Sequence, residues 1–334
     1  MSKRRLSKQQ QARITEKQQK EIVVNSESAT GTSASATRCN GRIISHFGKQ
    51  LDVEVLSEDS PPTVIRCHQR ANLPDLVTGD LVVWEQGSDE TGVIVAVADR
   101  KNMFARPDSG GNPKAVAANI DIVLVVFAVL PQAFMNLIDR YLVAIDSLGL
   151  EPLLVLNKVD LLNSGNTQEI DNMLSIYQSL GYSVHRVSTL SGAGIAELEE
   201  SLAGLTTVLV GQSGVGKSSL VNRLGFDEIT EVGDLSLGKY KGTHKTTTAR
   251  LYHLPGCDLI DSPGIREFNL PHITQAQLLS GFKELHQLAG DCRFRDCSHQ
   301  SEPGCAIKEA VEQGTVFRER LDSYLRILQM MEDS

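Results

Sequence analysis

The apolar positions of this chain follow two different rhythms. From about residue 38 to 108 they fall into short runs rich in β-branched residues: "GRIISHF", "QLDVEVL", "TVIRCHQ", "DLVVWEQ" and "TGVIVAVA". Turn-forming stretches such as "SEDSPP" and "QGSDETG" separate them. Runs of this kind are strands, and five of them within about 70 residues predict a small barrel of the OB type. From about residue 115 the grammar changes. "NIDIVLVVFAV", "EPLLVLN", "YSVHRVST" and "TTVLVG" read as buried strands, and the intervening "PQAFMNLIDRYLVAIDSLG", "NTQEIDNMLSIYQSLG" and "GIAELEESLAG" have helical spacing. Alternation of this sort predicts a parallel sheet covered on both faces. Beyond residue 272 the pattern turns helical, with Cys and His residues clustered between helices.

Length and composition sharpen this. The chain has 334 residues, enough for two or three domains. Its longest apolar run, "IVLVVFAVL" at 122–130, is far short of the ~20 residues that span a bilayer. The N-terminus has no apolar signal segment, so a cytoplasmic protein without a membrane partner is expected. The net charge of −8 by itself argues against a nucleic-acid partner, but its distribution does not. Residues 1–22 carry seven Lys/Arg and two Glu, a net of +5, which leaves about −13 for the rest. A basic tail on an acidic body points to nucleic acid, and "NSESATGTSASAT" at 25–37 reads as a flexible linker. In the barrel, Arg66, Arg70, Arg100, Lys101 and Arg106 are candidate RNA contacts, while Trp84 fits the barrel core better than a stacking platform.

The chemistry enters at "VLVGQSGVGKSSLVNRL". Gly211-Gln212-Ser213-Gly214-Val215-Gly216-Lys217-Ser218 is a complete G-x-x-x-x-G-K-S loop between a predicted strand and a predicted helix, with Ser219 following. Glycines let backbone N–H groups turn inward around a phosphate, and the helix N-terminus adds a favourable dipole. Lys217 is expected to reach the β- and γ-phosphates and Ser218 to ligate Mg²⁺. Downstream, "CDLIDSPGIREF" places Asp261 at the end of a strand, where it would support Mg²⁺, and Gly264 where it can bond the γ-phosphate. Between them, "GKYKGTHKTTTARLYHL" offers a threonine to close over Mg²⁺, either Thr246 or Thr247, of which Thr247 is taken as the ligand.

Asn157-Lys158-Val159-Asp160 follows the buried run "PLLVL" and is an N-K-x-D base reader. The Asp160 carboxylate can accept from guanine N1–H and N2–H₂, which adenine does not offer, so GTP rather than ATP is expected. Asn157 suits the base edge and neighbouring loops, and the Lys158 stem can lie across the ring. Ser188-Thr189-Leu190, after the next strand, suits a second base loop. Here the base loop precedes the phosphate loop by 54 residues, the reverse of an ordinary GTPase. A circularly permuted P-loop GTPase domain accounts for the order, because joining natural ends and opening a new break leaves the site intact.

"DCRFRDCSHQSEPGC" carries Cys292, Cys297, His299 and Cys305 in the spacing C-x₄-C-x-H-x₅-C. Three thiolates and an imidazole make a closed tetrahedral site for one structural Zn²⁺. Disulfides are disfavoured in a cytosolic nucleotide-binding protein.

Taken together, the basic tail, the OB-like barrel, the order NKVD…GQSGVGKS…THKTTTAR…DSPG and the C-x₄-C-x-H-x₅-C cluster resemble the RsgA (YjeQ) family of bacterial small-ribosomal-subunit-dependent GTPases. The resemblance covers essentially the whole chain. It implies a factor of late small-subunit maturation, with the subunit and its rRNA as partners, GTP and GDP as ligands, and hydrolysis stimulated by the subunit. It also implies RNA contacts by the barrel and the zinc domain. Nothing demands a dimer, so a monomer is expected. The domains expected are a tail and linker at 1–37, the barrel at 38–110, the permuted GTPase domain at 111–272 and a mainly helical zinc-binding domain at 273–334. Ile265 stands where many GTPases carry a water-orienting Gln; the resemblance points instead to His244 as the catalytic residue, acting with Lys217 and Thr247. Two other readings stay open: an RNA-binding assembly protein whose nucleotide is structural, and an ATP-driven enzyme.

Overall fold

The computed structural model describes residues 39–47, 50–57, 63–87, 91–107, 113–226, 249–261 and 273–332. The tail and linker, His244, Thr246, Thr247 and Gly264 lie outside these residues. Two compact units are present. The first holds the described residues up to 104, with 115–119 and 249–252, and the second holds the remainder.

In the first unit, β1 (Gly41–Phe47), β2 (Gln50–Val55), β3 (Thr63–Gln69), β4 (Leu81–Gln86) and β5 (Gly92–Val97) are the five strands expected. β1–β2, β2–β3, β4–β5 and β1–β4 pair antiparallel and β3–β5 parallel, which closes the ring in the order β1-β2-β3-β5-β4. Ile43, Leu51, Val53, Cys67, Val82 and Ile94 fill its interior. Trp84 packs against this core, and its indole nitrogen donates to the Asn40 carbonyl at 3.2 Å, so it is a barrel residue. Arg100 is also held inward: its guanidinium grips both Asp80 carboxylate oxygens, at 2.7 and 2.8 Å, and the Asp75 carbonyl. Arg66 pairs with the buried Asp52, and Arg70 pairs with Glu85 at the surface. Strands β6 (Met103–Pro107) and β7 (Pro113–Ala118) form a separate two-stranded ribbon that the hydrophobic pattern did not predict. Their segments carry Pro and Arg in place of an apolar alternation, and Pro113 sits at a strand's first position, where no ladder N–H is needed.

The second unit is built from β8 (Ile122–Ala128), α1 (Met135–Ser147), β9 (Pro152–Asn157), α2 (Thr167–Ser179), β10 (Val184–Arg186), α3 (Ile195–Leu202), β11 (Thr206–Val210) and α4 (Lys217–Val221). The chain returns to the first unit in β12 (Arg250–His253), whose Arg250 pairs with Ser45 of β1 there, before β13 (Asp258–Asp261) of the second unit. Strands β10-β9-β8-β11-β13 lie in that order, each pair parallel. β8 is central, and its neighbour β11 is buried along its length. In such sheets ligands bind beyond the carboxyl ends of the strands, which is where the loops after β9, β10, β11 and β13 emerge.

The C-terminal part comprises α5 (Gln275–Gly281), α6 (Lys283–Ala289), α7 (Ala306–Glu312) and α8 (Arg318–Glu332). A capping box starts α5, with Thr274 and Gln277 bonding each other's backbone N–H. Leu278, Phe282, Leu285, Ile307, Tyr324 and Ile327 form a core that also includes Val143 of α1. At Gly281 a Cβ would lie 2.9 Å from the Val143 Cα, so the glycine lets α5 press its backbone on α1. Beneath this contact lies a fully buried charge. Arg320 on α8, 1% exposed, binds Asp139 of α1 and Glu284 of α6 and stacks over the Phe282 ring at 4.3 Å. Tyr177 of α2 donates to the same Asp139 at 2.7 Å.

Candidate functional site

The loop from Gly211 to Gly216 turns the chain out of β11 and into α4. Three of its residues are glycines with positive φ: Gly211 at 143°, Gly214 at 82° and Gly216 at 95°. L-residues avoid these angles, and space forbids them here as well. A Cβ at Gly211 would lie 2.1 Å from the Val126 carbonyl oxygen. Gln212, Ser213 and Gly214 are exposed and Val215 is buried, so the loop is anchored at one point and open elsewhere. Lys217 turns back on the loop, its Nζ donating to the Gly211 and Gln212 carbonyls at 2.5 and 2.7 Å. Ser218 and Ser219 are exposed on the first turn of α4. Lys217, Ser218 and Asp261 line one small cleft over Leu209, Val221 and Leu259. A cation, a hydroxyl and a carboxylate separated by 44 residues in sequence thus meet at the ends of two neighbouring strands.

The N-K-V-D segment sits beside this loop. Asn157 ends β9 and is fully buried. Its Nδ2 donates to the Val215 carbonyl at 2.9 Å, and its Oδ1 accepts from the Thr189 backbone N–H at 3.3 Å. One side chain therefore ties the phosphate loop to the second base loop. Lys158 adopts the left-handed backbone conformation, and its Nζ donates to the Leu130 and Gly214 carbonyls, both at 2.7 Å. Val159 N–H bonds the Val187 carbonyl. Asp160 is exposed and its carboxylate accepts from the buried Ser188 hydroxyl, which in turn accepts from Ser191 N–H at 3.1 Å. Ser188 thus aims the carboxylate, Thr189 holds Asn157, and Leu190 stands 85% exposed at the loop tip.

Cys292, Cys297, His299 and Cys305 bring their ligand atoms within 4.8 Å of one another. Cys292 Sγ lies 3.9 Å from Cys305 Sγ and 3.6 Å from His299 Nδ1, and Cys305 Sγ lies 3.5 Å from His299 Nδ1. An ion held tetrahedrally by bonds of about 2.3 Å to sulfur and about 2.0 Å to nitrogen separates its ligands by about 3.5–3.8 Å. The cluster can therefore hold a metal ion. Burial, and then the neighbouring Cys305 and Cys292 thiols, push the Cys297 thiol up to about 12, so this sulfur resists ionising unless a cation joins it. Burial lowers the His299 imidazole, favouring the neutral form that ligates. Around it, Glu302 accepts from Ser298 N–H and Oγ, and Arg293 N–H bonds the Gly304 carbonyl.

Sequence reasoning had named these residues but not the contacts through which Asn157, Lys158 and Ser188 act, and it missed Arg320 altogether. The signal was present: Phe317, Arg320, Leu321, Tyr324, Ile327 and Leu328 form one helical stripe with a guanidinium inside it.

Comparison with known proteins is consistent along the whole chain. The family model described as RsgA GTPase matches residues 97–271. The Small ribosomal subunit biogenesis GTPase RsgA of Pseudomonas fluorescens (strain SBW25) is 48% identical over 342 aligned positions, covering 100% of this chain and 99% of that protein. Its namesake from Marinobacter nauticus is 49% identical, covering 100% and 97%. Among solved structures, YjeQ from Thermotoga maritima matches with a TM-score of 0.71 at 30% identity, over 88% of this chain and 98% of its own. YloQ, a circularly permuted GTPase, matches with a TM-score of 0.69 at 29% identity, over 88% and 94%. Among the described residues no helix is long and apolar enough to cross a membrane.

Proposed function

The chain belongs to the RsgA GTPase family, and from that premise we propose that it hydrolyses GTP to GDP and phosphate in the biogenesis of the small ribosomal subunit. The observation that carries the reading is the bridge made by Asn157, which joins the base-reading loops to the phosphate loop and so makes one nucleotide site from segments in permuted order. A site kept only to stabilise a fold would not need Asp160, Lys217, Ser218 and Asp261 all in place.

In this reading GTP lies across the loops after β9, β10 and β11. Asp160, aimed by Ser188, accepts from guanine, and the Lys158 stem covers the ring. Residues 211–219 wrap the phosphates, whose oxygens take over Lys217 from the Gly211 and Gln212 carbonyls. Ser218, with Thr247, would hold Mg²⁺, with Asp261 behind it; the ion supplies charge neutralisation between the β- and γ-phosphates. Gly264 would bond the γ-phosphate. Water attacks the γ-phosphorus, the bond to the GDP oxygen breaks, and the proton leaves with the phosphate. His244 orients that water, since Ile265 cannot.

The three thiols and His299 would hold one structural Zn²⁺ between α6 and α7, with no ligand position left open. The tail, barrel, GTPase domain and zinc domain would divide the chain at 37, 110 and 272. Contact with small-subunit rRNA through the tail, barrel and zinc domain, late action in maturation, stimulation by the subunit, a cytoplasmic site and a monomeric state complete the proposal. The decisive measurement is GTP hydrolysis by the full chain with and without purified small subunits. A rate that rises with subunits supports it. A rate that does not respond favours the rival, an RNA-binding assembly protein with a structural nucleotide.

A further inference from the structure

Beside the nucleotide loops, the second unit carries a groove of about 410 Å³ between the segment leading into α1, the first turns of α2 and the start of α8. Its apolar surface includes Leu130 and Phe134, which are 55% and 60% exposed, and Ile170 and Met173. Large side chains standing this far into solvent next to one another mark a docking surface more often than a bare face. Methionine adds a lining that can repack around a guest. The rim carries Glu169 and Glu319, and among the described residues no Lys, Arg or His lines the groove. That charge pattern repels phosphate and suits a cation.

We propose that this groove receives a cationic polypeptide segment bearing apolar anchors, supplied by a protein of the small subunit, and that its occupation tunes the nucleotide site. This rests on the ribosomal reading above and names a partner for it. The route to the nucleotide is short. The Leu130 carbonyl on the groove wall accepts from Lys158 Nζ at 2.7 Å, and the same ammonium holds Gly214 of the phosphate loop at 2.7 Å. Gly214 itself neighbours Pro131, which follows Leu130 in the chain. A guest that presses on residues 130–134 therefore acts on the base loop and the phosphate loop through one lysine. RNA is the poorer occupant, because the described residues of the groove offer no cation for its backbone.

The test places p-benzoylphenylalanine at position 134 of the full chain, which keeps an aromatic ring there, and irradiates it with purified small subunits and a non-hydrolysable GTP analogue. The expected product is a cross-link to a ribosomal protein that survives ribonuclease and is destroyed by protease. A cross-link to RNA alone, to the chain's own basic tail, or to nothing although the chain co-sediments with the subunit overturns the proposal. Loss of co-sedimentation in both the substituted and the unmodified chain instead overturns the ribosomal reading, and this inference with it. A second variant, Phe134→Asp with Met173→Glu, should keep its subunit-free GTPase rate while its subunit-stimulated rate falls by about tenfold. An unchanged stimulated rate also overturns the inference.

Discussion

A Cβ placed on Gly216 would stand 2.3 Å from the side-chain nitrogen of Asn157, with φ at +95°. The last glycine of the phosphate loop is thus packed against the first residue of the base reader, 59 positions earlier in the chain. Gly216→Ala has to displace the amide that holds Val215 and adopt a backbone that costs about 1–3 kcal/mol. GTP affinity should fall by about 10- to 100-fold, measured with a fluorescent GTP analogue, and the melting temperature by a few degrees. Unimpaired binding would show that the contact between the two loops is dispensable.

Asp160→Asn removes the carboxylate that Ser188 holds and that the proposal assigns to guanine. The preference for GTP over ATP in competition binding should shrink by about 1–3 kcal/mol. Retained selectivity would move base recognition elsewhere.

Arg320→Met leaves Asp139 fully buried without its cation, and breaking one side of such a pair costs about 3–5 kcal/mol. Thermal unfolding should drop accordingly. Arg320→Met combined with Asp139→Leu should recover part of the loss, because the stranded charge is gone. If the double variant is no better than the single one, the guanidinium's stacking on Phe282 dominates instead.

Metal analysis of the purified chain should find one zinc ion, and Cys297→Ser should lose it and destabilise the C-terminal helices. Because the free Cys297 thiol lies at about 12, metal capture releases protons, so the affinity should weaken steadily as pH falls. A pH-independent affinity would argue against thiolate ligation.

His244→Ala should keep GTP affinity and lose most of the subunit-stimulated turnover. Single-turnover hydrolysis with subunits present decides it, and an unchanged rate would remove His244 from the mechanism.

Much of this protein is readable in one dimension because its constraints are local. Strand runs, helical stripes and the glycines of a tight loop each need only neighbouring residues, and the barrel strands and the parallel sheet strands follow from them. The two-stranded ribbon of β6 and β7 escaped because its segments carry Arg106, Pro107, Pro113 and Lys114 where a pattern would show alternation. Arg100 was taken for an RNA contact because an arginine in a strand-rich region looks free until the fold brings Asp80 beneath it.

The residues and their order belong to the sequence: the N-K-x-D segment, the glycine-rich loop, the four side chains that can hold a metal, and the permuted order in which they come. Their meeting does not. Asn157 reaches Val215 only because β9, β8 and β11 lie in parallel register, so that strand ends far apart in the chain open onto one edge. Arg320 becomes a buried pin only because α8 closes over α1, 181 residues before it. Local patterns are set by the few residues around each position, whereas these contacts depend on how whole elements pack, and only burial tells a structural charge from a solvated one.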